Sequence, residues 1–331
     1  MKVFVTGGSG FLGQEVIRQL LAAGVGVRAM VRSRRTRLPE GAEGIETGFA
    51  PSDPGMPLAQ ALSGTDAVLH LAGKVSRDPI DAAEMHFIHV EATRALLGAM
   101  EASKVRRLVL ASTSGVIACS KQPRVADETD DAAIEVIGRW PYYMSKRLQE
   151  QEVLRWCAAG RVEGIVLNPT LILGPGDDRL SSTADVHRIL SGRFPAITEG
   201  TVAFVDVRDA ASAFVAALTR GRSRERYLLN GANMSVRSFV ERVALAGNVA
   251  MPKLKLSERW AVLGAKVVEG LAQAVDRAPP IDATSVEMGC HHWGCKADKA
   301  SQELGFRARD PQHTVADTVR DLERRGLFRR R

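Results

Sequence analysis

Short apolar runs rich in β-branched residues alternate with longer segments of helical period through the first half of the chain. Such runs, separated by helical segments, are typical of a parallel sheet with helices on both faces. The pattern predicts strands at 3–6, 26–31, 67–72, 107–112 and 163–168, and helices at 14–23, 83–103 and 143–159. We therefore expect an α/β chain with a doubly wound parallel sheet, the Rossmann fold.

The alternation breaks after residue 168, where a turn-rich loop at 174–178 precedes helices mixed with short strand-like pieces at 201–205 and 227–229. We assign residues 1–168 to a dinucleotide-binding domain, to which 201–230 return. Residues 169–200 and 231–331 are assigned to a smaller C-terminal substrate-binding lid. Residues 260–275 have one apolar face, which predicts a helix packed on the protein, or otherwise on a membrane or a partner. This stretch is too short and too charged to be a transmembrane segment.

Composition narrows the class of protein. The chain has 331 residues, of which 45% are hydrophobic and 25% charged, as in globular proteins. Four scattered cysteines suit a reducing compartment, and the N-terminus shows no charged leader with an apolar core, so we expect a cytoplasmic protein. The net charge of +7 is concentrated at 32–37, 220–226 and 324–331 without interleaved aromatic residues, so we do not expect nucleic-acid binding.

A glycine-rich turn follows the first predicted strand and opens the first predicted helix at residues 6–13. Gly7 permits a tight turn, Gly10 lets the backbone approach a pyrophosphate, and Gly13 lets the helix pack closely on the strand. Amide groups and the positive dipole end of the helix then face the phosphates. The alternative, a glycine turn without a ligand, does not explain this strand–turn–helix context. We predict a dinucleotide site on this turn, with contacts from Gly7, Ser9, Gly10, Phe11, Leu12 and Gly13.

The end of the second strand distinguishes the two nicotinamide dinucleotides. NAD-binding folds usually carry an acid there for the ribose hydroxyls, whereas this chain has Arg32, followed by Arg35. A guanidinium would hold a 2′-phosphate by a charge-assisted, bidentate contact. The sequence predicts NADP, with Arg32 as the discriminating residue and Arg35 as second choice; NAD, with arginines that only solvate a loop, is the alternative.

Tyr142 and Lys146 are four residues apart in a predicted helix, so the phenol and the ammonium share one face. A phenol ordinarily loses its proton near pH ~10, and a neighbouring cation makes it a usable acid or base near neutrality. Hydroxyl groups follow the preceding buried strand at 112–114, where one of them could hold a substrate oxygen. These features predict proton transfer beside a dinucleotide.

Together these motifs resemble the extended short-chain dehydrogenase/reductase family, also called the NAD-dependent epimerase/dehydratase superfamily. The matching segments span nearly the whole chain and lie at 6–13, 66–73, 112–114, 142–146, 168–177 and 204–209. Residues 27–32 and 140–146 are most similar to the branch with dihydroflavonol reductases and 3β-hydroxysteroid dehydrogenases, which mainly interconvert ketones and alcohols.

The resemblance implies roles for individual residues. Tyr142 would donate or accept the proton, Lys146 would bind the nicotinamide ribose and lower the pKa of the tyrosine, and Thr113 would hydrogen-bond the reacting oxygen, with Ser112 as fallback. It also implies cofactor contacts from Leu71, Ala72, Gly73, Asn168, Pro169 and Thr170.

The chain departs from the family pattern at two positions. Gly48-Phe49-Ala50 stands where an acid often touches the adenine, so that contact is absent or replaced by Phe49. His89 stands near a frequent asparagine, where it either keeps a structural hydrogen bond or is a partly buried helix residue.

Two further clusters carry no predicted chemistry. Cys290-His291-His292-Trp293-Gly294-Cys295 lacks the paired spacing of a zinc site, so no metal is predicted, and the resemblance favours a strand carrying Trp293. Asp206 and Asp209 are expected to orient loops and cap a helix at 210–218.

Our main hypothesis is an NADP-dependent oxidoreductase that interconverts a ketone and a secondary alcohol on a small-molecule substrate. One alternative is an epimerase or dehydratase that retains NAD and binds nucleotide sugars. Another is a non-catalytic NADP sensor, which would not need the Tyr/Lys/Thr set. The resemblance implies a homodimer, while the identity of the substrate and the direction of the reaction in the cell are not encoded in any motif.

Overall fold

The computed structural model describes residues 1–33, 35–50, 52–194, 197–251 and 283–329, so the predicted helix at 260–275 lies outside the described residues. In chain order the strands are β1 (Lys2–Thr6), β2 (Gly26–Val31), β3 (Glu43–Glu46), β4 (Ala67–His70), β5 (Arg107–Ala111), β6 (Glu163–Pro169), β7 (Leu171–Leu173), β8 (Thr201–Asp206), β9 (Arg226–Leu229) and β10 (Ala232–Ser235). Seven of them form one parallel sheet in the order β3-β2-β1-β4-β5-β6-β9. The predicted doubly wound fold is confirmed.

Helices cover both faces of this sheet. Other helices pack on the sheet of β7, β8 and β10, and together these elements form the smaller part of the molecule. The helices are α1 (Phe11–Ala22), α2 (Leu58–Leu62), α3 (Ala82–His86), α4 (Ala92–Ala102), α5 (Gly115–Ala118), α6 (Ile134–Ile137), α7 (Pro141–Ala158), α8 (Ala184–Leu190), α9 (Val207–Arg220), α10 (Val236–Gly247), α11 (Ala283–Gly289) and α12 (Pro311–Arg324). Helices α1 and α9 pack together on one face, and α4 and α7 on the other.

The continuous apolar pattern of β1 reflects burial on both sides. Val3 and Val5 point into the core beneath α1 and α9, where they meet Ile17 and Phe214. Phe4, between them, points into the opposite core with residues of α4 and α7. Successive side chains of a strand face opposite sides of the sheet, so a strand covered on both faces is apolar at every position.

Two elements differ from the prediction. The helix expected at 83–103 is interrupted by a π-helical turn at Phe87–Glu91, which carries the buried His89. One widened turn hardly alters a 3.6-residue hydrophobic period, so the pattern does not reveal it. Residues 201–230 divide between two places: α9 and β9 join the main sheet layer, whereas β8 pairs with β7 and β10 in a separate three-stranded sheet.

The smaller part has its own apolar core, built from β8, α10 and α12 around Phe204, Phe239, Val240, Val319 and Leu322. The predicted cap is present, because the Asp206 carboxylate accepts a hydrogen bond from the amide of Arg208 at the start of α9. Within the described ranges, no helix has the length and apolar character that crossing a membrane requires.

Candidate active site

The glycine turn between β1 and α1 is closed tightly against the end of β4. Gly7 has φ of +71°, and a Cβ there would lie 2.6 Å from the amide nitrogen of Ala72. A Cβ on Gly13 would lie 2.1 Å from the carbonyl oxygen of Gly7. Gly10 precedes α1 without a capping side chain, so the first-turn amides, including those of Phe11 and Leu12, are left to a ligand. The turn thus fits a pyrophosphate group.

Arg32 directly follows β2, as predicted, and its side chain is exposed. It makes no ion pair with an acid in the described part of the chain, and Arg35 is also exposed. A guanidinium without an acidic partner at this position fits a 2′-phosphate.

The segment after β4 joins the glycine turn to the Tyr/Lys helix. The amides of Leu71 and Ala72 donate to the carbonyl and the hydroxyl of Thr6, each at 3.2 Å. A Cβ on Gly73 would lie 3.0 Å from His89 Nε2 and 3.4 Å from Lys146 Nζ. Leu71, Ala72 and Gly73 therefore lie between the phosphate turn and Lys146, and their contacts with the cofactor stay a prediction.

Tyr142 lies in the first turn of α7, next to the proline that begins the helix. Burial raises the pKa of its phenol to about 12, and a hydrogen bond with the Thr113 side chain lowers it in part. Its ring meets those of His89 and Tyr143 edge to face, with centroids 5.8 and 5.1 Å away. Burial thus outweighs the Thr113 hydrogen bond in setting this pKa, and the lowering that the resemblance ascribes to Lys146 stays a prediction.

Lys146 is buried on the same face of α7. Its Nζ donates to the carbonyl oxygen of Ala111 at 2.8 Å and to Oε1 of Gln149 at 2.9 Å. Burial lowers the pKa of Lys146 to about 7, against the attraction of the nearby Glu150 carboxylate. The lysine therefore changes charge in the neutral range instead of above pH 10.

Asn168 and Thr170 are turned toward the protein. The Asn168 amide donates to Glu150 Oε1 at 2.5 Å and to the carbonyl oxygen of Thr113 at 3.1 Å. Thr170 donates to the carbonyl of Leu229 at 3.1 Å. The Pro169 carbonyl accepts from the amide of Ser114 at 2.9 Å. Asn168 and Pro169, at the end of β6, shape the loop that carries Thr113. The cofactor contacts predicted for these two residues and for Thr170 stay a prediction.

Comparison with known proteins gives the family. The model of the NAD-dependent epimerase/dehydratase family matches residues 3–229. The chain belongs to this family. The resemblance inferred from the motifs is thereby confirmed, and the protein is an NAD(P)-dependent enzyme of the short-chain dehydrogenase/reductase type.

Individual relatives of this epimerase/dehydratase family member are of similar length. A Synechocystis sp. protein that carries the name dihydroflavonol 4-reductase is 28% identical over 98% of this chain and 96% of its own. A ketoreductase of Stigmatella aurantiaca that acts on a farnesylated dihydroquinoline oxide is 27% identical over 97% and 96%. The chain in the crystal structure of gox2253 is 29% identical in sequence to this chain. The two structures align with a TM-score of 0.84 over 99% of each chain.

In this epimerase/dehydratase family member an aromatic wall adjoins Tyr142. The rings of Tyr143 and Trp293 lie 5.3 Å apart, and Trp140 stacks against Trp293 at 6.0 Å. Gly115 lies beneath them, since a Cβ there would be 2.2 Å from the Tyr143 ring. Trp293 lies between two isolated β-bridges and not in the strand favoured by the resemblance. Among the described residues, no three His, Cys, Asp or Glu side chains are placed to hold a metal ion.

The sequence patterns missed a group of buried polar side chains behind Lys146, formed by His70, Thr93, Gln149 and Glu150. Gln149 and Glu150 follow Lys146 at i+3 and i+4, a spacing that places them on its side of the helix. That spacing was an available signal. The partners of His70 and Thr93 depend on packing between distant segments, which no local pattern encodes.

Proposed function

We propose that this protein is an NADP-dependent oxidoreductase that interconverts a ketone and a secondary alcohol on a small-molecule substrate. The observation that carries the proposal is the hydrogen bond between the Tyr142 phenol and the Thr113 side chain, with the buried Lys146 one helical turn further along α7 and next to Gly73. The reductases among its relatives support the same reaction class. Residues 1–168 with α9 and β9 are assigned to cofactor binding, and the remainder to the substrate lid.

NADPH, when bound to the glycine turn and Arg32, supplies the hydride. Thr113 and Tyr142 donate hydrogen bonds to the carbonyl oxygen of the substrate and hold it in place. Because burial keeps the pKa of Tyr142 near 12, the phenol retains its proton until negative charge develops on that oxygen. Tyr142 then gives its proton to the alkoxide, which is a far stronger base than a phenolate. The Lys146 ammonium stabilises the tyrosinate that remains.

Cofactor choice is tested by fluorescence titration of the protein with NADPH and with NADH. Replacing Arg32 by alanine should weaken NADPH binding roughly 10-fold or more and leave NADH binding unchanged, because a charge-assisted contact to the 2′-phosphate is lost. Arg237→Ala removes an exposed arginine from α10 and serves as the matched control. If the protein binds NADH more tightly than NADPH, and Arg32→Ala has no effect, the NAD-retaining epimerase or dehydratase becomes the better assignment.

The chemistry is tested separately by following NADPH oxidation with a panel of ketones. Tyr142→Phe should lower turnover by about 100-fold or more, since the proton donor is removed, while NADPH affinity stays within about 2-fold. A variant that turns over as fast as the parent would overturn the mechanism. Cytoplasmic location and homodimerisation stay predictions.

A further inference from the structure

The charge of Lys146 is held inside the protein by neutral groups. Its side chain is 5% exposed, and the hydrogen bonds it donates to described residues go to the Ala111 carbonyl and to Gln149 Oε1. Glu150 acts on the ammonium only across space. A buried cation is costly unless its N–H groups donate to acceptors, and the amide oxygen of Gln149 is one of the two described acceptors of Lys146.

The orientation of the Gln149 amide follows from its neighbours. Thr93 gives its one hydroxyl proton to the carbonyl oxygen of His89 at 2.6 Å. Thr93 Oγ1 therefore accepts from Gln149 Nε2, which lies 2.9 Å away. With its nitrogen on Thr93, Gln149 has its oxygen on Lys146 at 2.9 Å. A flipped amide would place an NH₂ group against an ammonium and leave Thr93 without its donor.

The same pattern fixes the proton of His70 and reaches the glycine turn. His70 Nε2 lies 2.9 Å from Thr93 Oγ1 and donates to it, because the threonine proton is already used. His70 Nδ1 then accepts from the Thr6 hydroxyl at 2.7 Å, and Thr6 Oγ1 accepts from the amide of Ala72. Every described member of this chain of bonds is buried or backbone. A single arrangement of donors thus links the end of β1 to Lys146.

We propose that Gln149 is the positioning residue for Lys146: its amide oxygen, oriented by Thr93, fixes the place and the protonation of the lysine ammonium. The inference rests on the proposed function, since the role of Lys146 in turnover belongs to it. Gln149 acts through Lys146 and does not itself touch the reacting atoms. Its effect is therefore a change in the properties of the lysine, which is measurable without turnover.

The test measures the pKa of Lys146 by NMR of protein labelled with [¹³C]lysine, in which the Cε resonance that disappears in Lys146→Met belongs to Lys146. Gln149→Leu should lower the pKa of Lys146 by about 1 to 2, since one hydrogen bond to a charged group is lost. Gln149→Glu should raise it, because a carboxylate replaces a neutral acceptor and Thr93 can turn its hydroxyl toward it. Gln151→Leu makes the same change at an exposed site on the same helix and should leave it unaltered.

The outcomes separate this inference from the proposed function. If Lys146→Met abolishes NADPH-dependent turnover but Lys146 titrates alike in the parent protein, Gln149→Leu and Gln149→Glu, the positioning role is wrong and the mechanism stands. If the Gln149 variants move the pKa as expected but Lys146→Met keeps full turnover, the mechanism is wrong and the control of Lys146 by Gln149 stands. Should Gln149→Leu fail to fold, Gln149→Glu keeps the inference testable, since an unchanged pKa in that variant also overturns it.

Discussion

Asp185 holds Arg77 by two parallel hydrogen bonds, of 2.7 Å to Nη2 and 3.2 Å to Nη1. Arg77 belongs to the loop after β4 and Asp185 to α8, and Arg77 also donates to Ser285 of α11 at 2.7 Å. The pair thus fastens the loop that follows Gly73 to the smaller part of the molecule. Tyr143 lies within electrostatic reach of both charges, so this fastening borders the aromatic wall beside Tyr142.

The Arg77–Asp185 pair is expected to contribute more to stability than an ordinary surface pair. In a double-mutant cycle of Arg77→Met and Asp185→Asn, urea unfolding should give a coupling free energy of about 1 kcal/mol, because the contact is bidentate and partly buried. The pair Glu15–Arg18 within α1 is the comparison, with an expected value of roughly 0.2–0.5 kcal/mol. Equal coupling energies in the two cycles would show that the contact does not fasten the loop.

Replacing either of two helix glycines by alanine should change the free energy of unfolding, in opposite directions at the two positions. Gly13→Ala places a Cβ 2.1 Å from the Gly7 carbonyl oxygen, where both sides are backbone and cannot yield. It should lower the free energy of unfolding by about 2 kcal/mol or more and weaken NADPH binding. A Cβ added at Gly98, in α4, would meet no atom within 4 Å outside its own helical turns. Gly98→Ala should therefore raise the free energy of unfolding by about 0.5–1 kcal/mol. Urea unfolding and NADPH titration measure both, and a Gly13→Ala protein that matches the parent in both would refute the packing role of Gly13.

The parts of the site that could be predicted from sequence are those in which neighbouring residues carry the chemistry. The first strand, the glycine turn and the start of the first helix lie within the first 13 residues, and Tyr142 and Lys146 are four residues apart on one helix. Local geometry alone brings these groups together. The end of β2 at Val31 and the exposed Arg32 follow from the same strand pattern. The geometry of these elements depends on residues close in the sequence and not on contacts between distant segments.

The contacts that could not be predicted join residues far apart in the chain. His70 and Gln149, whose side chains both donate to Thr93, are 79 residues apart, and Arg77 and Asp185 are 108 apart. Their contacts depend on how β4, α7 and α8 pack against one another. The local sequence around a buried polar residue does not indicate which distant residue it will contact. The partner of Asn168 could not be predicted either, since its amide donates to Glu150 within the protein.

Acid should destabilise this protein through two buried histidines. Burial lowers the pKa of His70 to about 3 and that of His89 to about 2, with Lys146 adding to both. In the unfolded chain both take up protons near pH 6.5, so below that pH the unfolded state binds more protons and the free energy of unfolding falls as pH falls. At pH 5 the slope from the two histidines should be about 2.7 kcal/mol per pH unit.

Replacement of His89 should remove about half of that slope. His89 Nε2 accepts from the amide of Lys74 at 3.2 Å, and the proton on Nδ1 goes to Ser145 Oγ at 2.8 Å, since the Ser145 hydroxyl is donated to the carbonyl of Tyr142. Asparagine can offer one acceptor and one donor but does not titrate. Urea unfolding between pH 6.5 and 5.0 should therefore show His89→Asn losing about 1.1 kcal/mol less per pH unit than the parent, averaged over this range. His313→Gln, at an exposed site on α12, should keep the parental slope. If the free energy of unfolding of His89→Asn depends on pH as in the parent, His89 is not held neutral in the folded protein. Its burial in the π-helical turn would then not lower its pKa.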